Sequence, residues 1–214
     1  MRKHEKKTSI ILDRIKRHIS INIKLYLRIC VFFLIGIIIG VIFVNNIEVK
    51  EKEEMSVYLD ESINKLKSNY QIDSVTLLKN LIGSNIIFTF FIWFMGCTVI
   101  GIPIVYLMVF YKGFSLSYTI SIIIFSLGIG KGSLFCFLSM FLQNLIIIPT
   151  TFALAISGIK LYKSIIKDRR KENIKVEIIR HTIFSLFMLI LLIIGSIVET
   201  YISSKLVCMC INYI

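Results

Sequence analysis

Residues 132–159 form an uncharged stretch with the sequence GSLFCFLSMFLQNLIIIPTTFALAISGI. A helix needs about 20 apolar residues to cross the roughly 30 Å of hydrocarbon in a bilayer. The stretch is long enough for this, and its apolar residues cover every side of a helix. They do not alternate with polar residues, as they would in the strands of a transmembrane barrel. The stretch therefore predicts a membrane-spanning helix.

Four further apolar stretches have the length of a membrane span, namely residues 25–44, 86–111, 113–130 and 182–202. Over the 214 residues, 56% are apolar and 18% are charged, and the mean hydropathy is +0.81. An ordinary soluble domain has about 45–50% apolar and about 25% charged residues. The composition excludes a lone soluble domain and a disordered chain. We predict an all-α fold, a polytopic integral membrane bundle of about five transmembrane helices.

The basic segments between the spans predict how the chain is oriented. Residues 1–24 and residues 160–181 each hold eight Lys and Arg, and Lys112 is expected in a turn on the same side. The opposite side, which includes residues 45–85, holds seven. Because cytoplasmic loops are enriched in Lys and Arg, we expect the N-terminus inside and the tail, residues 203–214, outside. The net charge of +12 then reflects this bias and contact with the lipid bilayer, and no nucleic-acid partner is expected.

Residues 45–85 are predicted to form an amphipathic helical loop outside the membrane. Apolar residues recur there at every third or fourth position: Met55, Leu59, Ile63, Leu66 and Tyr70. This spacing places them on one face of a helix. Two interpretations stay open, since the face could pack on the protein's own outer surface or bind an external partner.

Small residues within the spans indicate where helices pack closely. Gly36 and Gly40 form a G-x-x-x-G motif in the first span, which lets two helices approach each other and leaves a homo-oligomer open. Gly96 and Gly101 are expected to do the same in the second span. Pro103 removes one backbone hydrogen bond and predicts a kink there.

Gln143 and Asn144 lie side by side near the middle of the longest apolar stretch, and Pro149 follows them. Polar side chains at this depth need partners or water. One interpretation is hydrogen bonding between helices that holds the bundle together. The other is a helix broken over residues 143–149, or a re-entrant segment, that lines a cavity or a partner's groove.

The sequence offers no arrangement that predicts catalysis, a cofactor or a metal site. Ser115 lies in a G-F-S-L-S segment, but all three histidines are in the basic inner segments, which disfavours a serine enzyme. Paired carboxylates and grouped metal ligands are missing from the spans. The only charges assigned to spans are Arg28 and Glu199, near span edges, which argues against an ion-coupled carrier.

Several short segments occur in a fixed order along the chain. They are Phe33 to Gly40 (FLIGIIIG) leading to Val44-Asn45-Asn46, then Asn85, Gly96, Ile100-Gly101-Ile102-Pro103, Lys112-Gly113-Phe114 and Gln143 to Pro149 (QNLIIIP). In this order, over nearly the full length, the chain resembles the stage II sporulation protein M family of endospore-forming bacteria. Leu142 departs from the family's pattern, which has Pro before the Gln-Asn pair.

The resemblance implies a function that composition does not show. Members of the family act when the mother cell engulfs the forespore, in a complex with two cell-wall hydrolases, stage II sporulation proteins D and P. The resemblance thus implies a non-enzymatic scaffold that recruits both hydrolases to the mother-cell membrane at the sporulation septum and the engulfing membrane. The alternative is the membrane subunit of a small transporter or permease, with Gln143, Asn144 and Pro149 lining the path.

Overall fold

The computed structural model describes residues 20–67, 74–98, 100–167, 174–203 and Lys205. Its elements are α1 (Ile23–Asn46), α2 (Val49–Lys67), α3 (Ser74–Gly96), α4 (Gly101–Leu127), α5 (Ile129–Lys167), α6 (Ile174–Val198) and a π-helix (Glu199–Ser203). Five of these helices are long and apolar enough to cross a membrane: α1, α3, α4, α5, and α6 with the π-helix. The predicted all-α fold with five spans is confirmed.

Large apolar side chains cover the outside of the bundle. Leu107, Leu145 and Ile183 are each more than half exposed. A protein surrounded by water seldom exposes continuous apolar surface of this extent, whereas lipid chains solvate it. The polar side chains described below lie instead among the helices.

The second and third spans differ from the predicted bounds. We predicted residues 86–111 and 113–130, with Lys112 in the turn between them. The chain instead reverses between Gly96 and Gly101, and Lys112 lies within α4. The reversal has its own hydrogen bonds, because the Gly101 N–H donates to the Thr98 carbonyl at 3.2 Å and the Thr98 hydroxyl donates to the Met95 carbonyl at 3.0 Å.

This reversal also corrects the expectations for Gly101 and Pro103. A Cβ on Gly101 would lie 1.7 Å from the Met95 carbonyl oxygen, so glycine permits the tight turn and does not serve packing within a span. Pro103 lies in the first turn of α4, where backbone N–H groups have no partner within the helix. Proline is tolerated there without a kink. With Lys112 removed, the predicted inner side still holds sixteen Lys and Arg against seven, so the orientation stays a prediction.

The fourth span is one continuous helix. α5 has 39 residues, or about 58 Å at 1.5 Å per residue, and it contains Pro149. The break considered over residues 143–149 is therefore not observed. The Thr150 hydroxyl donates to the Ile146 carbonyl at 2.7 Å, next to the site where proline removes a backbone donor. The length beyond a bilayer carries α5 toward the basic segment that follows it.

Helices α1 and α4 make the closest contact in the bundle. A Cβ on Gly36 would lie 2.2 Å from the Phe110 carbonyl oxygen, and one on Gly113 would lie 2.3 Å from that of Phe33. Gly40 lies against Ser117 in the same way. The glycines thus let two backbones touch, as small residues do between membrane helices.

Helix α2 folds back along the second half of α4. The Tyr118 hydroxyl donates to the Met55 sulfur at 3.1 Å, and the Lys52 ammonium lies 5.7 Å from the centre of the Phe125 ring. At Met55, the apolar stripe therefore packs on the protein's own surface. The side chains of the other stripe positions, Leu59, Ile63, Leu66 and Tyr70, lie outside the described residues.

Candidate functional site

A polar cavity lies within the bundle and is lined by residues of α1, α3, α4, α5 and the π-helix. Its volume is about 160 Å³. The polar residues that line it are Ser84, Asn85, Lys112, Ser115, Thr119, Gln143, Asn144 and Glu199. Lys112 is about 17 Å along α4 from its start at Gly101, so the cavity is near the middle of the bilayer.

Two opposite charges, Lys112 and Glu199, line this cavity and attract each other. The Gln143 side chain lines the cavity beside Glu199 and stabilises its carboxylate. Glu199 is the first residue of the π-helix, a rare conformation that is frequent at functional sites. The Lys112 ammonium lies 5.7 Å from the centre of the Phe88 ring, within the range of a cation–π interaction. A partly buried lysine and a partly buried carboxylate thus attract each other at a depth where either charge alone would be costly.

Hydrogen bonds from amide side chains connect the helices around the cavity. The Asn85 amide donates to the Ser196 hydroxyl at 2.8 Å, which joins α3 to α6. Gln143 of α5 lies beside Glu199 of the π-helix, and its Oε1 is a buried acceptor with no donor among the described residues. Asn144 donates to the Met140 carbonyl of its own helix at 2.9 Å. For Asn85 and Gln143, this arrangement agrees with the interpretation in which polar side chains hold the bundle together.

An apolar groove of about 640 Å³ lies between α4 and α5. Its walls include Ile120 and Ile124 from α4 and Phe137 and Leu145 from α5. At one end the groove shares lining residues with the polar cavity: Leu116, Met140, Asn144 and Ile148. The Asn144 carboxamide therefore stands between a lipid-facing groove and the charged interior.

His181 belongs to the bundle and not to an inner loop, which corrects the predicted segment 160–181. It is 3% exposed, and its Nδ1 lies 2.8 Å from the Ser157 hydroxyl. A Cβ on Gly96 would lie 3.1 Å from His181 Nε2 and 2.9 Å from the Cα of Gly158. The ring is thus enclosed where α3 crosses α5, and we interpret the Ser157–His181 contact as a link between α5 and α6.

The described residues contain no group of three or more His, Cys, Asp or Glu placed to hold a metal ion. Cys30, Cys97 and Cys136 are free thiols in separate parts of the bundle. Cys208 and Cys210 lie outside the described residues.

The fold and the polar cavity define a class: a polytopic helical membrane protein with five spans and a charged interior. The sequence model of stage II sporulation protein M matches residues 29–204, which include nearly all of the five spans. The chain belongs to the stage II sporulation protein M family, and it is a sporulation-related membrane protein. This family is not known as an enzyme family. No curated protein and no solved structure matches the chain.

Proposed function

We propose that the protein is a non-enzymatic scaffold for engulfment, located in the mother-cell membrane at the sporulation septum and the engulfing membrane. It recruits two peptidoglycan hydrolases, stage II sporulation proteins D and P. The observation that carries the proposal is the family match over residues 29–204. The assignment of the two hydrolases as partners rests on the family resemblance.

Helix α2 is our candidate surface for such partners, because residues 45–85 are the largest segment expected outside the membrane. The first residue of the stripe, Met55, contacts Tyr118 of α4. This contact holds the start of the stripe against the bundle. Val57, off the stripe, is 55% exposed. We propose that the later stripe positions, Leu59, Ile63, Leu66 and Tyr70, contact a hydrolase or its membrane anchor.

An affinity pull-down of the tagged protein from detergent-solubilised membranes of sporulating cells tests the scaffold. We expect both hydrolases to be recovered with it, identified by mass spectrometry. Recovery of an ATP-binding subunit without either hydrolase would contradict the scaffold and would favour a transporter.

The same pull-down tests the stripe with Leu59→Asp/Leu66→Asp. We expect this variant to insert normally and to lose most hydrolase recovery, because two carboxylates must be desolvated in an apolar interface. The control is Val57→Asp/Asn64→Asp, which adds the same two charges off the stripe and should leave recovery unchanged. Normal recovery with the Leu59/Leu66 variant would reject the stripe as the docking surface.

A specific observation favours the transporter alternative as a second candidate. The sequence argues against ion-coupled transport, because the charges it assigns to spans are near span edges. The structure places Lys112 within α4, where it lines the same polar cavity as Glu199. Intramembrane charges facing a cavity often mark ion and substrate paths.

Cysteine accessibility separates the two candidates. In a cysteine-free background, Ile147→Cys reports on the cavity, Leu145→Cys on the lipid-facing side, and Ser133→Cys on the exposed start of α5. For a scaffold, we expect a charged, membrane-impermeant thiol reagent to label Ser133→Cys only. Labelling of Ile147→Cys while Leu145→Cys stays unlabelled would show a water-accessible path and favour transport.

A further inference from the structure

A second polar pocket lies between α5 and α6, near the ends that the basic segment connects. Its volume is about 350 Å³. Its lining includes Ser157, Lys160, Glu177, Arg180, His181 and Phe184. This α5–α6 pocket is separate from the polar cavity, with which it shares no lining residue.

The end of α3 indicates how deep in the membrane the α5–α6 pocket lies. Gly96, the last residue of α3, lies against both Gly158 and His181, so these residues are at the level where α3 ends and the chain turns into α4. A chain reversal leaves backbone groups unpaired within helices and therefore belongs outside lipid-exposed hydrocarbon. At the same level the Trp93 indole donates to the Thr182 hydroxyl at 3.0 Å, as expected of an aromatic residue at the membrane interface. The pocket thus opens at headgroup depth.

The charges in the pocket suit a single anion. Lys160 and Arg180 repel each other, and Glu177 attracts both. Glu177 forms an ion pair with Arg180, and it is the only carboxylate among the described lining residues. The two cations outnumber this carboxylate among the described residues, which favours an anionic ligand. The Arg180 side chain is 71% exposed, so its planar guanidinium can turn to a ligand without leaving the pocket mouth.

The remaining walls suit the rest of a lipid headgroup. The Ser157 hydroxyl, already positioned by His181, provides a polar group beside the cations. Phe184 adds an apolar wall one helical turn along α6 from Arg180. Basic pockets between membrane helices recognise anionic headgroups in this way.

We propose that the α5–α6 pocket binds the phosphate of one anionic phospholipid, with Lys160 and Arg180 as its cations. The site differs from the diffuse attraction of the basic segments, because it is saturable and depends on these two side chains. Lipid binding at this site does not require the two hydrolases. A bound lipid would join α5 to α6 at the end of the bundle opposite the π-helix.

Native mass spectrometry of the full-length protein in detergent, titrated with phosphatidylglycerol or phosphatidylcholine, tests the site. We expect one phosphatidylglycerol to bind with preference over phosphatidylcholine. Lys160→Gln/Arg180→Gln should weaken binding about tenfold or more, since hydrogen bonds to charged groups are lost. The control is Lys163→Gln/Lys175→Gln, which removes the same charge from exposed positions on the same two helices and should leave binding nearly unchanged.

Three outcomes would overturn the proposal. Equal binding of both lipids would remove the need for an anion. Equal losses in the two double variants would indicate diffuse electrostatics. Inorganic phosphate that binds as tightly as phosphatidylglycerol would make free phosphate the ligand and reject the lipid. If Lys160→Gln/Arg180→Gln does not fold, Arg180→Gln alone decides, because this exposed side chain tolerates replacement.

Discussion

Glu199→Leu is expected to destabilise the protein by about 1–3 kcal/mol, and Lys112→Leu/Glu199→Leu should recover most of that loss. Removing one of two opposite charges inside the bundle leaves the other uncompensated, whereas replacing both by apolar residues is often neutral or stabilising. Glu199 provides the charge that Lys112 meets across the cavity. Without it, Lys112 retains the Phe88 ring, which is a weaker partner for an ammonium.

The two single variants, Lys112→Leu and Glu199→Leu, should lose different amounts of stability. Lys112→Leu leaves the Glu199 carboxylate beside the polar Gln143 side chain, which stabilises it, so we expect a smaller loss than for Glu199→Leu. Trp93, the only tryptophan, provides a fluorescence signal for thermal unfolding in detergent. The coupling energy follows from the four proteins in a double-mutant cycle.

Lys131→Leu is the control for this cycle, because it removes a charge at an exposed position at the start of α5. We expect it to change the melting temperature little. Strictly additive losses for Lys112→Leu and Glu199→Leu would show that the two charges do not interact, and would contradict the pair. A stable double variant that no longer supports engulfment would show that the charges serve function beyond folding.

Hydropathy alone predicted the number of spans but not where two of them begin. One lysine in a long apolar run resembles the charge of a short loop, so Lys112 was assigned to a turn. The true reversal has no charged residue, and Gly101 there resembles a packing glycine. A signal was nevertheless present, because two opposite charges within otherwise uncharged spans are costly unless they pair.

The structure confirms none of the proposed partner contacts, but it locates the intramembrane polar residues. Asn85, Gln143 and Asn144 could be singled out because amides are rare in apolar runs, and all three line one cavity. Their partners could not be predicted, since Asn85 meets Ser196 from a span 111 residues away. Such pairings depend on the packing of the helices and leave no local pattern.

His181 was misplaced for a different reason. Lys175 and Arg180 give the segment before residue 182 the composition of a loop, yet α6 already begins at Ile174. Lys175 and Arg180 are exposed, while Ile178 and His181 lie three residues apart on the inner face of this helix. The helical spacing of Ile178 and His181 thus indicates a helix within a segment whose composition is typical of a loop.

Gly36→Val is expected to cost about 3 kcal/mol or more, because α1 and α4 must separate to admit it. The Cβ alone would lie 2.2 Å from the Phe110 carbonyl oxygen and 3.0 Å from the Phe114 nitrogen. These are backbone atoms of α4, so no side chain can rotate away to make room. Overpacking of a tight core typically costs 1–3 kcal/mol, and about the upper value or more is expected where two backbones are in contact.

Gly40→Ala should cost less than Gly36→Ala at the same interface. At Gly40 the nearest atom is the Ser117 hydroxyl oxygen, which can rotate, although the Phe114 carbonyl oxygen would remain 2.8 Å away. Gly83→Ala in α3 is the matched control, because a Cβ there has no neighbour within 4 Å. It should be neutral or stabilise by up to about 1 kcal/mol, since alanine favours a helix over glycine.

Thermal unfolding in detergent would rank the three alanine variants. We expect Gly83→Ala to have the highest melting temperature, Gly40→Ala a lower one and Gly36→Ala the lowest. A Gly36→Ala protein that melts like the wild type would contradict the direct backbone contact between α1 and α4. The contact also bears on the polar cavity, because Phe33 and Lys112 of its lining adjoin this crossing. Separation of α1 from α4 should therefore open the cavity wall, and Gly36→Val should make Ile147→Cys reactive even if the wild-type bundle is closed.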